Sequence, residues 1–233
     1  MRHKFSNTAV LVFSRSAKAE SVEKSLFSSG RKNFNHIVYQ SLLKQSLHTA
    51  EKSGLPVFWI DEKKQRGGDF GERLANAFQE VFDQGYENVI SIGNDAPELS
   101  SNDLTQAANA VGRNRAILGP TKDGGDYLIG FNKKDFRKES FRNIPWRTNA
   151  VNQSLVAYFE SLGCEVQCLE TLVDVDNESA IWASSESQHN LQALKALLIN
   201  LVQRIVVSLI SPAPSVRPAF SFQKGLRAPP ALS

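Results

Sequence analysis

Residues 88–100 read NVISIGNDAPELS. The first five, Asn88 to Ile92, are a short apolar run rich in β-branched side chains, the pattern of a strand buried on both faces. Gly93, Asn94 and Asp95 follow at once, which sets a carboxylate just past a strand end, and Pro97 fixes the backbone after it. In open α/β sheets ligands bind outside the carboxyl ends of the strands. An Asp at such a place can coordinate a divalent cation and neutralise a diphosphate through it; it reads equally as a turn or helix cap.

Upstream, Phe70, Leu74, Ala77, Phe78, Val81 and Phe82 recur at three and four and predict a helix over 69–82, stopped by Gly85. Leu55 to Ile60 reads as a strand, Ile37, Leu42, Leu43 and Leu47 as a helix ending at Gly54, and Thr8 to Phe13 (TAVLVF) as the first strand. Downstream come a helix from about Asp103 to Val111, strands at Ala116–Leu118 and Tyr127–Phe131, a helix from Asn149 to Leu162 and a late strand at Glu165–Leu169. This alternation predicts an α/β fold of three layers, with a mostly parallel sheet covered by helices on both faces.

The chain has 233 residues, 41% hydrophobic and 22% charged, which suits one globular domain with an appendage. Residues 1–187 form the expected domain and sum to −2. No acid follows Glu186, and residues 188–233 sum to +5. A body so close to neutral argues against a dedicated nucleic-acid binder, which needs a concentrated basic face. Cys164 and Cys168, four apart in a strand, stand roughly 13 Å from each other, too far for a disulfide. Two reduced thiols, and no apolar run near the N-terminus long enough for a signal peptide, point to the cytoplasm.

Residues 188–210 predict an apolar helix: fourteen of the twenty residues from 191 to 210 are apolar. Asn200, Gln203 and Arg204 interrupt its middle, which disfavours a bilayer span. A packed helix, a contact between copies of the chain and peripheral membrane attachment remain open. Residues 211–233 hold five of the nine prolines and no acid, the composition of an extended basic arm.

Three further segments carry chemistry. Residues 119–127 (GPTKDGGDY) place Asp123 before Gly124 and Gly125, where backbone N–H groups can approach ligand oxygens or simply turn a hairpin. Residues 172–178 (LVDVDNE) set Asp174 and Asp176 on one side of an extended chain, which requires a cation or donors between them unless the edge is solvated. Residues 65–74 (QRGGDFGERL) enter a helix through glycines, with Asp69 at or near its N-cap. This last segment fits neither a P-loop nor a dinucleotide fingerprint.

Together GDFGERLANAF (68–78), ISIGNDAPELS (90–100), AILGPTKDGGDYLIGF (116–131), IPWRTNAV (144–151) and LVDVDNESAI (172–181) resemble the DUF2064 family of GT-A-fold transferases, relatives of phospholactate guanylyltransferase. The likeness covers roughly residues 8–182. It implies a nucleotide-diphospho-sugar transferase-like sheet with a nucleotide or nucleotide-sugar donor and Mg²⁺ or Mn²⁺ at the strand ends. On this resemblance Asp95 and Asp176 are the metal-binding acids, with Asn94 beside them. Asp123, Gly124 and Gly125 form the loop beside an acceptor whose identity it leaves open, and Gly68, Gly71 and Arg73 lie near the nucleotide. Asp95, Asp123 and Asp176 are thus the catalytic candidates, and the expected activity is transfer of a glycosyl or nucleotidyl group.

Two departures matter. The family's loop after the first strand carries Pro, Gly and a Lys-Thr-Arg-Leu ending, whereas here Phe13 is followed by SRSAKAESVEKSL. Arg15, Lys18 and Lys24 keep some of the phosphate-gripping charge, but Glu20 and Glu23 intrude. Asp126 also stands where an aromatic residue is common after the paired glycines. The first departure motivates an alternative: a protein of the same fold that binds a nucleotide-sugar, or acts as a scaffold, with weakened catalysis.

Overall fold

The first strand, β1 (Thr8–Phe13), is buried at five of its six positions, as an apolar run requires when both of its faces are covered. The structure is a computed structural model and describes residues 7–26, 32–113 and 115–175. The chain divides into two units, Met1–Leu197 and Leu198–Ser233, and every described residue falls in the first. Asp176, the domain boundary at 187, the apolar helix at 188–210 and the arm at 211–233 lie outside the described residues.

After β1 come α1 (Ala17–Glu23), α2 (Lys32–Lys52), β2 (Val57–Ile60), α3 (Phe70–Asp83), β3 (Asn88–Ile92), α4 (Ser101–Val111), β4 (Arg115–Pro120) and β5 (Asp126–Asn132). A short 3-10 turn, α5 (Lys138–Arg142), α6 (Val151–Ser161) and β6 (Glu165–Cys168) complete the described chain. The strands form a six-stranded sheet in the order β2-β1-β3-β5-β4-β6. β5 runs antiparallel to both its neighbours and every other pairing is parallel. β1, β3 and β4 therefore point the same way, and the segments that follow them emerge at one edge.

Alternation along the strands feeds two cores. Ala9, Leu11, Val89, Leu118, Ile129 and Phe131 face α3, α5 and α6. Val10, Val12, Ile90, Ile92, Ile117 and Leu128 face the opposite side, which α4 covers with Leu104, Ala107 and Val111 and the end of α2 with Ala50. The first core is built on Phe78, Phe82, Phe131, Phe141 and Phe159, all fully buried, with Phe78 stacked on Phe131 at 4.6 Å between centroids. Each such ring contributes about 2–3 kcal/mol of burial, so this face dominates the stability of the sheet. The three-layer α/β/α arrangement is the one the alternation predicts.

Local differences have physical causes. α1 has the polar sequence AKAESVE, with no apolar period to announce it. It forms because Ser16 caps it and Glu62 takes the Ser16 backbone N–H and hydroxyl, both at 2.7 Å. Helix α2 stops at Lys52, with Gly54 at φ +73°, as the sequence suggests. No helix among the described residues is long and apolar enough to cross a membrane.

Candidate active site

At the edge where β1, β3 and β4 end, a cavity of about 660 Å³ opens, within the usual size of a small-molecule site. β3 delivers Asp95 through a turn pinned by the Gly93 N–H to the Tyr127 carbonyl, 3.3 Å. Asp95 is not a helix cap. Ser100 fills that role in a capping box with Asp103, which starts α4 and leaves Asp95 to the cavity. Burial pushes the Asp95 carboxyl above its usual range, a rise that Lys24 opposes and that Glu20 and Asp123 reinforce.

The β4–β5 turn forms the next wall. Thr121 donates its hydroxyl to Asp123 Oδ1 at 2.5 Å, the Gly125 N–H donates to the same oxygen at 3.2 Å, and the Gly124 N–H closes on the Thr121 carbonyl at 3.1 Å. Gly124 sits at φ +92°, where a Cβ would strike the Asn149 carbonyl. The segment is thus a glycine hairpin and a cavity wall at once. Asp126 opens β5 beside it: Asn152 donates to its Oδ1 at 2.8 Å, while Oδ2 is enclosed without a hydrogen bond. Burial, against the Asn152 bond and with help from Asp123, pushes this carboxyl up to about 7.

The end of the described chain closes the site. The Leu172 N–H reaches the Pro120 carbonyl at 3.1 Å, and the Val175 N–H reaches the Asp95 carbonyl at 2.8 Å. Asp174 consequently lines the same cavity as Asp95. On the opposite wall Arg15 pairs with Glu23 and Lys24 with Glu20, each at 3.2 Å, and all four residues line the cavity.

Among the residues expected from sequence, Arg15, Lys24, Arg73, Asn94, Asp95, Asp123 and Gly125 line this cavity. Gly124 supports it from behind, and Gly68 and Gly71 are not among its lining. The Gly68 N–H is taken by Glu72 Oε2 at 2.9 Å, and Asp69 caps α3 through the Glu72 N–H at 2.7 Å. Gly71 makes room for the Arg142 carbonyl and the Trp146 ring, so it serves the packing of α3 on α5. Asp174, paired with Asp176 in the sequence pattern, lines the cavity too, as do Asp126 and Arg147, which the motifs do not mark as site residues. The signal for Asp126 in the sequence is an acid where the resemblance leads one to expect an aromatic residue, and the structure sets it at the first position of β5. Among the described residues no three His, Cys, Asp or Glu side chains converge as a metal site. Cys164 and Cys168 are free thiols.

Residues 36–148 match the model of the family described as "Uncharacterized protein conserved in bacteria" (DUF2064). Over these residues the chain is similar to the DUF2064 family. The matched segment contains Arg73, Asp95, Asp123, Asp126 and Arg147, whereas Arg15, Lys24 and Asp174 lie beyond it.

Among solved structures, a candidate nucleotide-diphospho-sugar transferase from Desulfovibrio desulfuricans G20 is similar at a TM-score of 0.70 and 23% identity, over 85% of this chain and 97% of that one. The chain therefore has a nucleotide-diphospho-sugar transferase-like fold. Weaker likenesses run to 4-diphosphocytidyl-2C-methyl-D-erythritol synthase from Anaerococcus prevotii DSM 20548 (TM-score 0.47, 15% identity, 79% of this chain and 98% of that one). Another is Rv0371c of Mycobacterium tuberculosis H37Rv in complex with manganese (TM-score 0.46, 12% identity, 78% and 99%). No curated protein matches the chain.

Proposed function

We propose that this protein is a transferase that binds a nucleotide or nucleotide-sugar in the cavity and moves a glycosyl or nucleotidyl group to an acceptor. The observation that carries the reading is the meeting of Asp95, Asp123, Asp126 and Asp174, from three separate stretches of chain, with Arg73 and Arg147 around one space at the ends of the strands. A Mg²⁺ or Mn²⁺ ion belongs to this reading. The fit rests on Asp95, whose carboxyl is buried and crowded by Glu20 and Asp123, so that a cation beside it would favour the charged form. Such ions are commonly held by one or two carboxylates, with substrate phosphates and water completing the shell. Asp95 would hold the ion, joined on the family resemblance by Asp176, and the ion would neutralise the diphosphate. The chain's own contribution is to place that diphosphate against fixed cations and to hold the acceptor beside Asp123 and Asp126.

The test is a thermal-shift panel with Mn²⁺ and nucleoside diphosphates, UDP-sugars and GDP-sugars. At least one nucleotide should raise Tm in the presence of Mn²⁺, and Asp95→Ala should abolish that rise. No response from any nucleotide, with the variant indistinguishable from the parent, would overturn the reading. One observation favours the alternative of a weakened, binding-only protein: Arg15 and Lys24, two of the expected phosphate ligands, already have acid partners in Glu23 and Glu20.

A further inference from the structure

Of the four cations around the cavity, Arg15 and Lys24 are engaged by carboxylates, which leaves Arg73 and Arg147. Among the described residues neither arginine forms an ion pair. The Nε of Arg73 is enclosed and has no hydrogen-bond partner, a state that in a finished structure calls for a ligand or water.

Arg147 is held in an unusual way. It is the non-glycine residue of the described chain with positive φ, at +65°. For a long side chain that conformation costs of order 1 kcal/mol. Its guanidinium lies over the Phe70 ring, 5.4 Å from the centroid. Phe70 in turn packs against Trp146 at 5.7 Å and Phe13 at 5.7 Å, so the platform beneath the cation is fixed. Phe70 and Arg73 are three apart on α3 and share a face of the helix. A strained backbone and an aromatic platform thus hold one guanidinium at the cavity wall that also carries Arg73, with no acid among the described residues paired to it.

We propose that Arg147, acting with Arg73, is an oxyanion clamp of this cavity that takes a phosphate group of the substrate. The inference rests on the transferase reading and adds to it the residue that replaces the diluted basic loop after β1. Arginine suits the role because its planar fork can donate two parallel hydrogen bonds to one phosphate, and stacking on an aromatic face leaves those donors available. The phosphate has two sources, the donor's diphosphate or a phosphorylated acceptor, and the chemistry of recognition is the same for both.

The experiment measures binding by calorimetry with UDP and GDP in Mn²⁺, and separately with glycerol 3-phosphate as a phosphomonoester. The parent protein is compared with Arg147→Gln, Arg147→Lys and Arg147→Gly, with Arg113→Gln as an exposed arginine outside the cavity. Arg147→Gln should weaken at least one probe tenfold or more, Arg147→Lys should recover little of it, and Arg113→Gln should match the parent.

Arg147→Gly separates binding from folding: glycine suits φ +65°, so Tm should hold or rise while binding is still lost. Loss confined to the nucleotides assigns the clamp to the donor, and loss confined to glycerol 3-phosphate assigns it to the acceptor; either supports the clamp. Nucleotide binding that Asp95→Ala abolishes and Arg147→Gln leaves intact, with glycerol 3-phosphate unaffected, would overturn the clamp and spare the transferase reading. A parent protein that binds none of the probes would overturn both.

Discussion

Asp126 shows how much a single side chain can owe to its surroundings. Its carboxyl is pushed up to about 7 by burial, with Asp123 adding to the rise and Asn152 opposing it. The unfolded chain would ionise near 3.8, so between about pH 4 and 7 the folded state holds the extra proton. Stability therefore falls as pH rises through that window and is lowest above about 7. Asp126→Asn keeps an acceptor for Asn152 and removes the buried charge. It should stabilise the protein by on the order of 2 kcal/mol at pH 8 and by almost nothing at pH 4, as read from paired urea titrations. Equal midpoints for parent and variant at pH 8 would show that the carboxylate is solvated after all.

At the scale of elements, the α3–α5 contact carries both stability and the site. Gly71 on α3 lies so close to the Arg142 carbonyl and the Trp146 ring that a methyl group has no room. Gly71→Ala should cost about 1–3 kcal/mol and lower Tm by several degrees, and because it displaces Trp146 and the Phe70 platform it should also weaken nucleotide binding.

The strands were legible in sequence because a run such as Thr8–Phe13 or Asn88–Ile92, buried on both faces, leaves little room for polar residues. Helix α1 was not, since its support comes from Glu62, far along the chain, and not from its own pattern. Asp95 and Asp123 could be named from their places after strands, whereas Asp126 and Arg147 owe their settings to Asn152 and Phe70, contacts that arise only on folding. The place expected for Gly71 near the nucleotide came from the family resemblance; the packing it makes room for involves Arg142 and Trp146, seventy or more positions away, which no local pattern announces.

For the molecule as a whole, the balance of charge around the cavity sets what it can hold. Glu20, Glu23, Asp95, Asp123, Asp126 and Asp174 face Arg15, Lys24, Arg73 and Arg147, so that even with Asp95 and Asp126 biased toward their neutral forms the acids offset the cations and favour a diphosphate that arrives with a divalent ion. Replacing Glu20 and Glu23 together with Gln should release Lys24 and Arg15 and tighten nucleoside diphosphate binding several-fold in low salt. The gain should shrink at high ionic strength, and a salt-independent change would point to altered shape instead.

One backbone contact gives this arrangement an order in time. The Val175 N–H bonds to the Asp95 carbonyl, joining residues eighty positions apart directly behind two acids of the cavity, Asp95 and Asp174. On the ribosome, a nascent chain that has not yet released residue 175 can already pair its central strands but has no finished pocket. Nucleotide can then act as a folding aid only after synthesis has passed that point, and ligand added to a translating extract should protect the completed polypeptide from protease while leaving shorter stalled chains unprotected.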